Sequence, residues 1–260
     1  GTNILLGNTA TSTGNISLIA GGWIHDSDTD GSIDLIASGL RIRAGGDIGR
    51  LSQDFVDPIE TRVARVNALS DGNINLYASD GIEVGDVEVK VNRVAANAAV
   101  SELTDAKQSD LITSGQGSII LRAETGNITL HDGTAADTDN DIAISAGGSG
   151  NILVQAMDQG KSITANAGIT SSGGHVTVLA SNNVSFSNEA DILTSGGTID
   201  VQATSGSITL SATSNQDAGS GNIRFFAHSN ITMGGIATTS GDVSLKAGAW
   251  IQDADTDKGV

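Results

Sequence analysis

The residues best placed to do chemistry are carboxylates at alternate positions. Asp26, Asp28 and Asp30, followed by Gly31, match positions 1, 3, 5 and 6 of an EF-hand-type loop, and Asp34 falls at position 9. Hard cations need several oxygens at close range, and a tight Asp-rich turn supplies them. Position 12 is Ala37 where a bidentate Glu belongs, and residues 31–37 read as a strand, so a full EF-hand is excluded. Related runs occur at Asp137, Asp139 and Asp141, and at Asp253, Asp255 and Asp257. Calcium is the expected cofactor at these corners, completed by backbone carbonyls or by a neighbouring stretch of chain. The competing expectation is solvated turn residues making Asx-type bonds.

Other chemistry is sparse. His25, His131, His175 and His228 stand alone with no ligand spacing, and His175 reads as a surface substitution within a strand motif. Carboxylates are plentiful, but no pattern marks a glycosidase pair or a lyase base. No Gly-rich stretch leads into a helix as a phosphate loop does, and the Thr residues read as scattered, without the ladder an ice-binding face needs. The expectation is a non-enzymatic chain, with a polysaccharide lyase or hydrolase as the enzymatic alternative. For recognition, Arg41, Arg43, Arg50, Arg62, Arg65, Lys90, Arg93 and Lys107 crowd into one stretch of a chain with only 13 Lys and Arg. Local salt bridging is the competing reading, because Asp47, Asp54, Asp57, Glu60, Glu88, Glu102 and Asp105 share that stretch. Trp23 and Trp250 are expected to point outward, where an indole either stacks on a sugar or a neighbouring fibre or covers its own coil.

The elements that would carry these residues come from a short repeat, Gly-x-Ile/Val-x-Leu/Val/Phe-x-Ala. It recurs from Gly14, Gly31, Gly72, Gly117, Gly150, Gly174, Gly197, Gly221 and Gly241. Its alternating apolar residues are the signature of strands with one buried face, and each Gly is expected to supply positive φ at a corner. A second apolar pair follows, as in Ile128 with Leu130 or Ile208 with Leu210, and a third, weaker strand closes several repeats, as at Ile142 and Ile144. Three short strands per ~20–24 residues predict a parallel β-helix, a β-solenoid of about ten coils. A β-sandwich is the main alternative. Two coils look much longer than the rest, so residues 46–58 and 93–110 are expected to protrude side by side as loops.

Composition agrees with a solenoid. The chain has 260 residues with 34 Gly, one Pro, no Cys and 3% aromatics, too few to fill a bulky globular core, whereas a narrow stack of Ile, Val, Leu and Ala needs none. The absence of Cys rules out a disulfide framework, and no apolar run approaches the ~20 residues of a membrane span. The net charge of −17 disfavours nucleic acid as a partner. No targeting segment is evident, and the chain reads as a slice of something longer.

A longer self-similarity supports that reading. ATSTGNISLIAGGWIHDSDTD from Ala10 and ATTSGDVSLKAGAWIQDADTD from Ala237 align at a period of 227 residues, both Trp included. Residues 1–260 are then one continuous segment, with 14–240 as one tandem module and 241–260 as the start of the next.

The serial GNIxLxA strands, together with GGDIG, the Asp57-Pro58-Ile59-Glu60 step and GNINLYASDGIEVGDV, resemble the repeat regions of giant bacterial surface exoproteins of the filamentous haemagglutinin-like adhesin type. The resemblance implies a right-handed β-helix, secretion to the bacterial surface and a role as adhesin stalk or fibre. The expected partners are neighbouring modules, end-to-end copies, and glycans or host matrix. The alternatives are a self-assembling matrix filament subunit and a polysaccharide-binding or polysaccharide-degrading β-helix.

Overall fold

The computed structural model describes residues 1–52, 56–134, 140–188 and 190–255. Among them every regular element is a strand, and 24 strands join in one sheet that winds as a parallel β-solenoid of about ten coils. Face 1 is the column that passes through Ile4, Ile24, Ile48, Ile74, Ile119, Ile152, Val176, Ile199, Ile223 and Val243, each paired in parallel with the next. Face 2 stacks Ile82, Ile128, Ile163, Val184, Ile208, Ile231 and Ile251. Face 3 stacks Leu18, Ile42, Ala68, Leu111, Ile144, Ile169, Ile192, Gln216 and Ile236. In the first coils, the strands Asn15–Ala20, Leu35–Ala44 and Ile59–Ser70 run unbroken into face 3, where later coils use separate short strands.

The register explains the motif position by position. Its first two apolar residues form aliphatic stacks, and its final Ala forms a file of its own through Ala78, Ala123, Ala156, Ala180, Ala203, Ala227 and Ala247. Side-chain size varies along a stack: Phe186 has the small Ala165 on one side and Leu210 on the other. Such stacking buries side chains worth about 1.5–3 kcal/mol each without a bulky core.

The motif glycines do a different job from the one their sequence suggests. Of them, Gly31 alone is among the glycines with positive φ. Most of the others are needed because coils touch there. A Cβ at Gly117, Gly150, Gly174, Gly197, Gly221 or Gly241 would lie closer than 3.0 Å to the carbonyl oxygen of the glycine one coil below. Gly therefore permits close approach and does not bend the chain.

The residue after each Gly is equally constrained. Asn73 Oδ1 accepts the Ser118 N–H, Ser118 Oγ that of Asn151, Asn151 Oδ1 that of His175, and His175 Nδ1 that of Thr198. A second file starts face 2, with Asn127, Ser162, Asn183 and Ser207 each accepting from the next coil's N–H. His175 is exposed, as a surface substitution should be, and is also a rung of this hydrogen-bonded ladder. Thr129, Thr164, Ser185, Thr209 and Thr232 also align, in one outward file on face 2, so these hydroxyls are not scattered.

The excursions differ from the expected pair of loops. Ile48 sits fully buried in face 1, so residues 46–58 begin as solenoid wall, and among the described ones the protruding part is a small antiparallel ribbon, Arg50–Leu51 with Val56–Asp57. Of residues 93–110, all but Ser109 and Asp110 belong to an antiparallel hairpin, Val87–Val94 with Val100–Gln108. The hairpin folds back over the strands entering face 3, where Arg41 Nε donates to Ala106 O and Gln108 Nε2 donates to Ile42 O. The ribbon instead lies against face 1, where Asn75 Nδ2 donates to Arg50 O. The two do not emerge side by side, because Ile48 closes a coil of its own and the excursions leave from different faces.

The 227-residue self-similarity also lands unexpectedly. Ile16, Leu18 and Ala20 lead into face 3 and Ile24 lies on face 1, whereas the matching Val243, Leu245 and Ala247 lie on face 1 and Ile251 on face 2. Segments starting at 14 and at 241 therefore begin one face apart.

Candidate metal centre

Face 1 is interrupted at the same point in two consecutive coils. After Asp26 the chain makes an excursion through residues 27–33 and returns at Asp34. In the next coil it leaves after Gly49, forms the ribbon and returns at Ile59 and Glu60. The bases of the two excursions interlock, Asp34 N–H donating to Glu60 O at 3.0 Å and Glu60 N–H to Asp34 Oδ2 at 3.1 Å. One carboxylate oxygen from each of Asp26, Asp34 and Glu60 falls within 4.8 Å of the others. All three are buried, with exposures of 2%, 2% and 6%, and Asp57, at 5%, lies beside them.

Among the described residues Arg50 is the cation that pairs with this group: its Nη1 lies 3.7 Å from Asp57 Oδ2, and its Nε donates to His25 Nδ1 at 3.2 Å. Burial, and then the proximity of Asp26, pushes the Asp34 carboxyl up to about 8. Glu60 rises to about 7, mainly by burial, while the neighbouring Asp34 carboxyl partly opposes the shift. Asp57 is raised by burial and by Asp26, against the pull of Arg50. The same burial, reinforced by Arg50, lowers His25. With its neighbours ionised, Glu60 Oε2 has no hydrogen-bond donor. The cluster must therefore hold either protons or an added positive charge.

The residues singled out from the sequence fare unequally. Asp26 is in the cluster. Asp28 and Asp30 are exposed and turn the loop by Asx bonds, Asp28 N–H to Asp26 Oδ1, Asp30 N–H to Asp28 Oδ1 and Ser32 N–H to Asp30 Oδ1. Asp253 repeats that bond with Asp255 N–H and is exposed on the last coil. Asp141 takes a positive φ of 62° and its N–H donates to Asp132. Asp137, Asp139 and Asp257 lie outside the described residues. Glu60 and Asp57 escaped notice as ligands, although the Gly46-Asp47-Ile48 triplet is a copy of the Gly-x-Ile strand start. Recognising it would have set Glu60 against Asp34.

The cation-rich stretch is largely internal bookkeeping of charge. Arg62 pairs with Asp80 at 3.4 Å, Arg65 with Glu83 at 3.0 Å, Lys90 with Glu88 at 3.6 Å and Lys107 with Asp86 at 3.5 Å. Arg41 is only 7% exposed, covered by the hairpin, with Nη1 donating to Ser17 Oγ. That position removes it from any recognition surface. Arg43 and Arg93 are exposed. Trp23 is half-buried and stacks on His25, centroids 4.2 Å apart, so it covers its own coil beside the acidic corner. Trp250 is 44% exposed.

Comparison with family models, with curated proteins and with solved structures returns no match. Among the described residues no helix is long and apolar enough to cross a membrane.

Proposed function

We propose that the chain is a structural, non-enzymatic segment of a long extracellular fibre or adhesin stalk at a bacterial surface. The observation that supports this reading is the parallel column of face 1, which passes from Ile4 to Val243 and is kept through Ile24, Ile48 and Ile74 even where excursions leave the face, so that length, and not a cleft, is the main product of the fold. Each coil adds about 4.8 Å to the axis. Functional groups on such a rod sit on excursions and outward files, and here the excursions are spent mainly on covering the rod itself. The partners of this reading are neighbouring segments of the same kind and a glycan or matrix surface.

Small-angle scattering across a concentration series, combined with incubation on acidic polysaccharides followed by ultraviolet absorbance, tests it. A stalk segment gives a rod of constant length and no unsaturated product. Growth into filaments would favour the matrix-subunit reading, and product release that is lost on carboxylate substitution would overturn the non-enzymatic one.

A further inference from the structure

We propose that Asp26, Asp34 and Glu60, supported by Asp57, form a binding site for one calcium ion that ties two consecutive coils together. The site does not depend on the stalk reading. Three features carry it. The carboxylate oxygens lie within 4.8 Å of one another, an envelope that a calcium sphere with oxygens about 2.3–2.6 Å from the ion fills. The donors are oxygen only: no His nitrogen falls in the group with Asp26, Asp34 and Glu60, and the chain has no Cys, which selects a hard cation over zinc or copper. Independently of the clustering, Glu60, which contributes one carboxylate oxygen to the group, is more than nine-tenths buried, and its Oε2 has no hydrogen-bond donor. An orphaned carboxylate oxygen at that depth is costly unless a cation or proton meets it.

The fold explains why the ion belongs here. Asp26 and Asp34 close the base of one excursion and Glu60 ends the next, so a single ion would pin both loops at their roots. The exposed Asp28 and Asp30 shape the loop through their Asx bonds and stay out of the sphere. Either divalent ion would offset part of the excess of four carboxylates over Arg50, but magnesium, with its shorter bonds and tightly held water, fits the 4.8 Å spread of oxygens less well than calcium.

The test uses the whole 260-residue chain, stripped with a chelator and titrated calorimetrically with CaCl2 and, separately, MgCl2 near pH 7.5. Thermal melts are run in parallel. The expected result is one equivalent of calcium bound, a raised melting temperature, and at least a tenfold loss of affinity in Glu60→Gln and in Asp34→Asn. Asp28→Asn should bind as the parent does. Circular dichroism checks that each variant is folded, and Asp34→Asn serves if Glu60→Gln does not fold. The proposal is overturned if neither heat nor a melting shift accompanies calcium, if magnesium binds more tightly, or if folded Glu60→Gln binds unchanged while Asp28→Asn loses the ion.

Discussion

At the residue scale, the fold turns on groups whose neighbours lie one coil away. Gly174 shows this most directly. A methyl group there meets the Gly150 carbonyl oxygen, which is backbone and cannot swing aside. Gly174→Ala should therefore cost about 3 kcal/mol, the upper part of the usual overpacking range. Gly160→Ala should cost about 1 kcal/mol, because Gly160 has open space around it and only its φ of 79° to satisfy. Chemical denaturation of the two variants checks the ranking, and equal losses would refute the close-approach argument. The carboxylates of the acidic corner make a second prediction, for cation-free protein. Asp34 and Glu60 have folded values of about 8 and about 7 against ordinary values of 3.8 and 4.5. The folded chain thus holds protons that the unfolded chain releases, and their stabilisation is complete below about pH 4 and drains away as pH rises towards 8. Melts in chelator should fall across that window, and Glu60→Gln should flatten the slope. The alternation of apolar residues made the strands legible, but the corner was not. It depends on Asp34 meeting a residue 26 positions away, and that pairing is visible only once Ile48 is known to lie on face 1.

At the element scale, the hairpin Val87–Val94 and Val100–Gln108 acts as a cover. Its inner side seals Arg41, which reaches Ala106 O and Ser17 Oγ, while Val91 and Leu103, and Val94 and Val100, pair across its exposed stretch. A hydrogen bond from a charged group is worth about 1.5–3 kcal/mol. Arg41→Met should consequently loosen the hairpin, and trypsin should cut at Lys90, Arg93 and Lys107 several-fold faster than in the parent. Unchanged cleavage would show that the hairpin is held by other contacts. The cation count in this stretch signalled an unusual element, yet composition could not separate a recognition surface from ion pairs and a buried guanidinium. That distinction needs the register of the hairpin against the strands below it. The ladder at the motif's second position was illegible for a similar reason: Asn, Ser and His look interchangeable until each is seen to accept an N–H from the next coil.

At the scale of the whole molecule, stability is a sum of contacts between adjacent coils, so damage to one coil is felt mainly by its neighbours. One consequence concerns symmetry. The two Trp-Ile segments are alike in sequence, yet Ile24 lies on face 1 and Ile251 on face 2. One sequence period therefore spans about eight coils and one further side of a three-sided rod. A chain that repeated this period would follow a threefold screw. Successive hairpins and acidic corners would point about a third of a turn apart, and three periods would present every direction around the axis before the pattern recurred. Such a rod would have no preferred side, and whatever its excursions engage could be met from any approach.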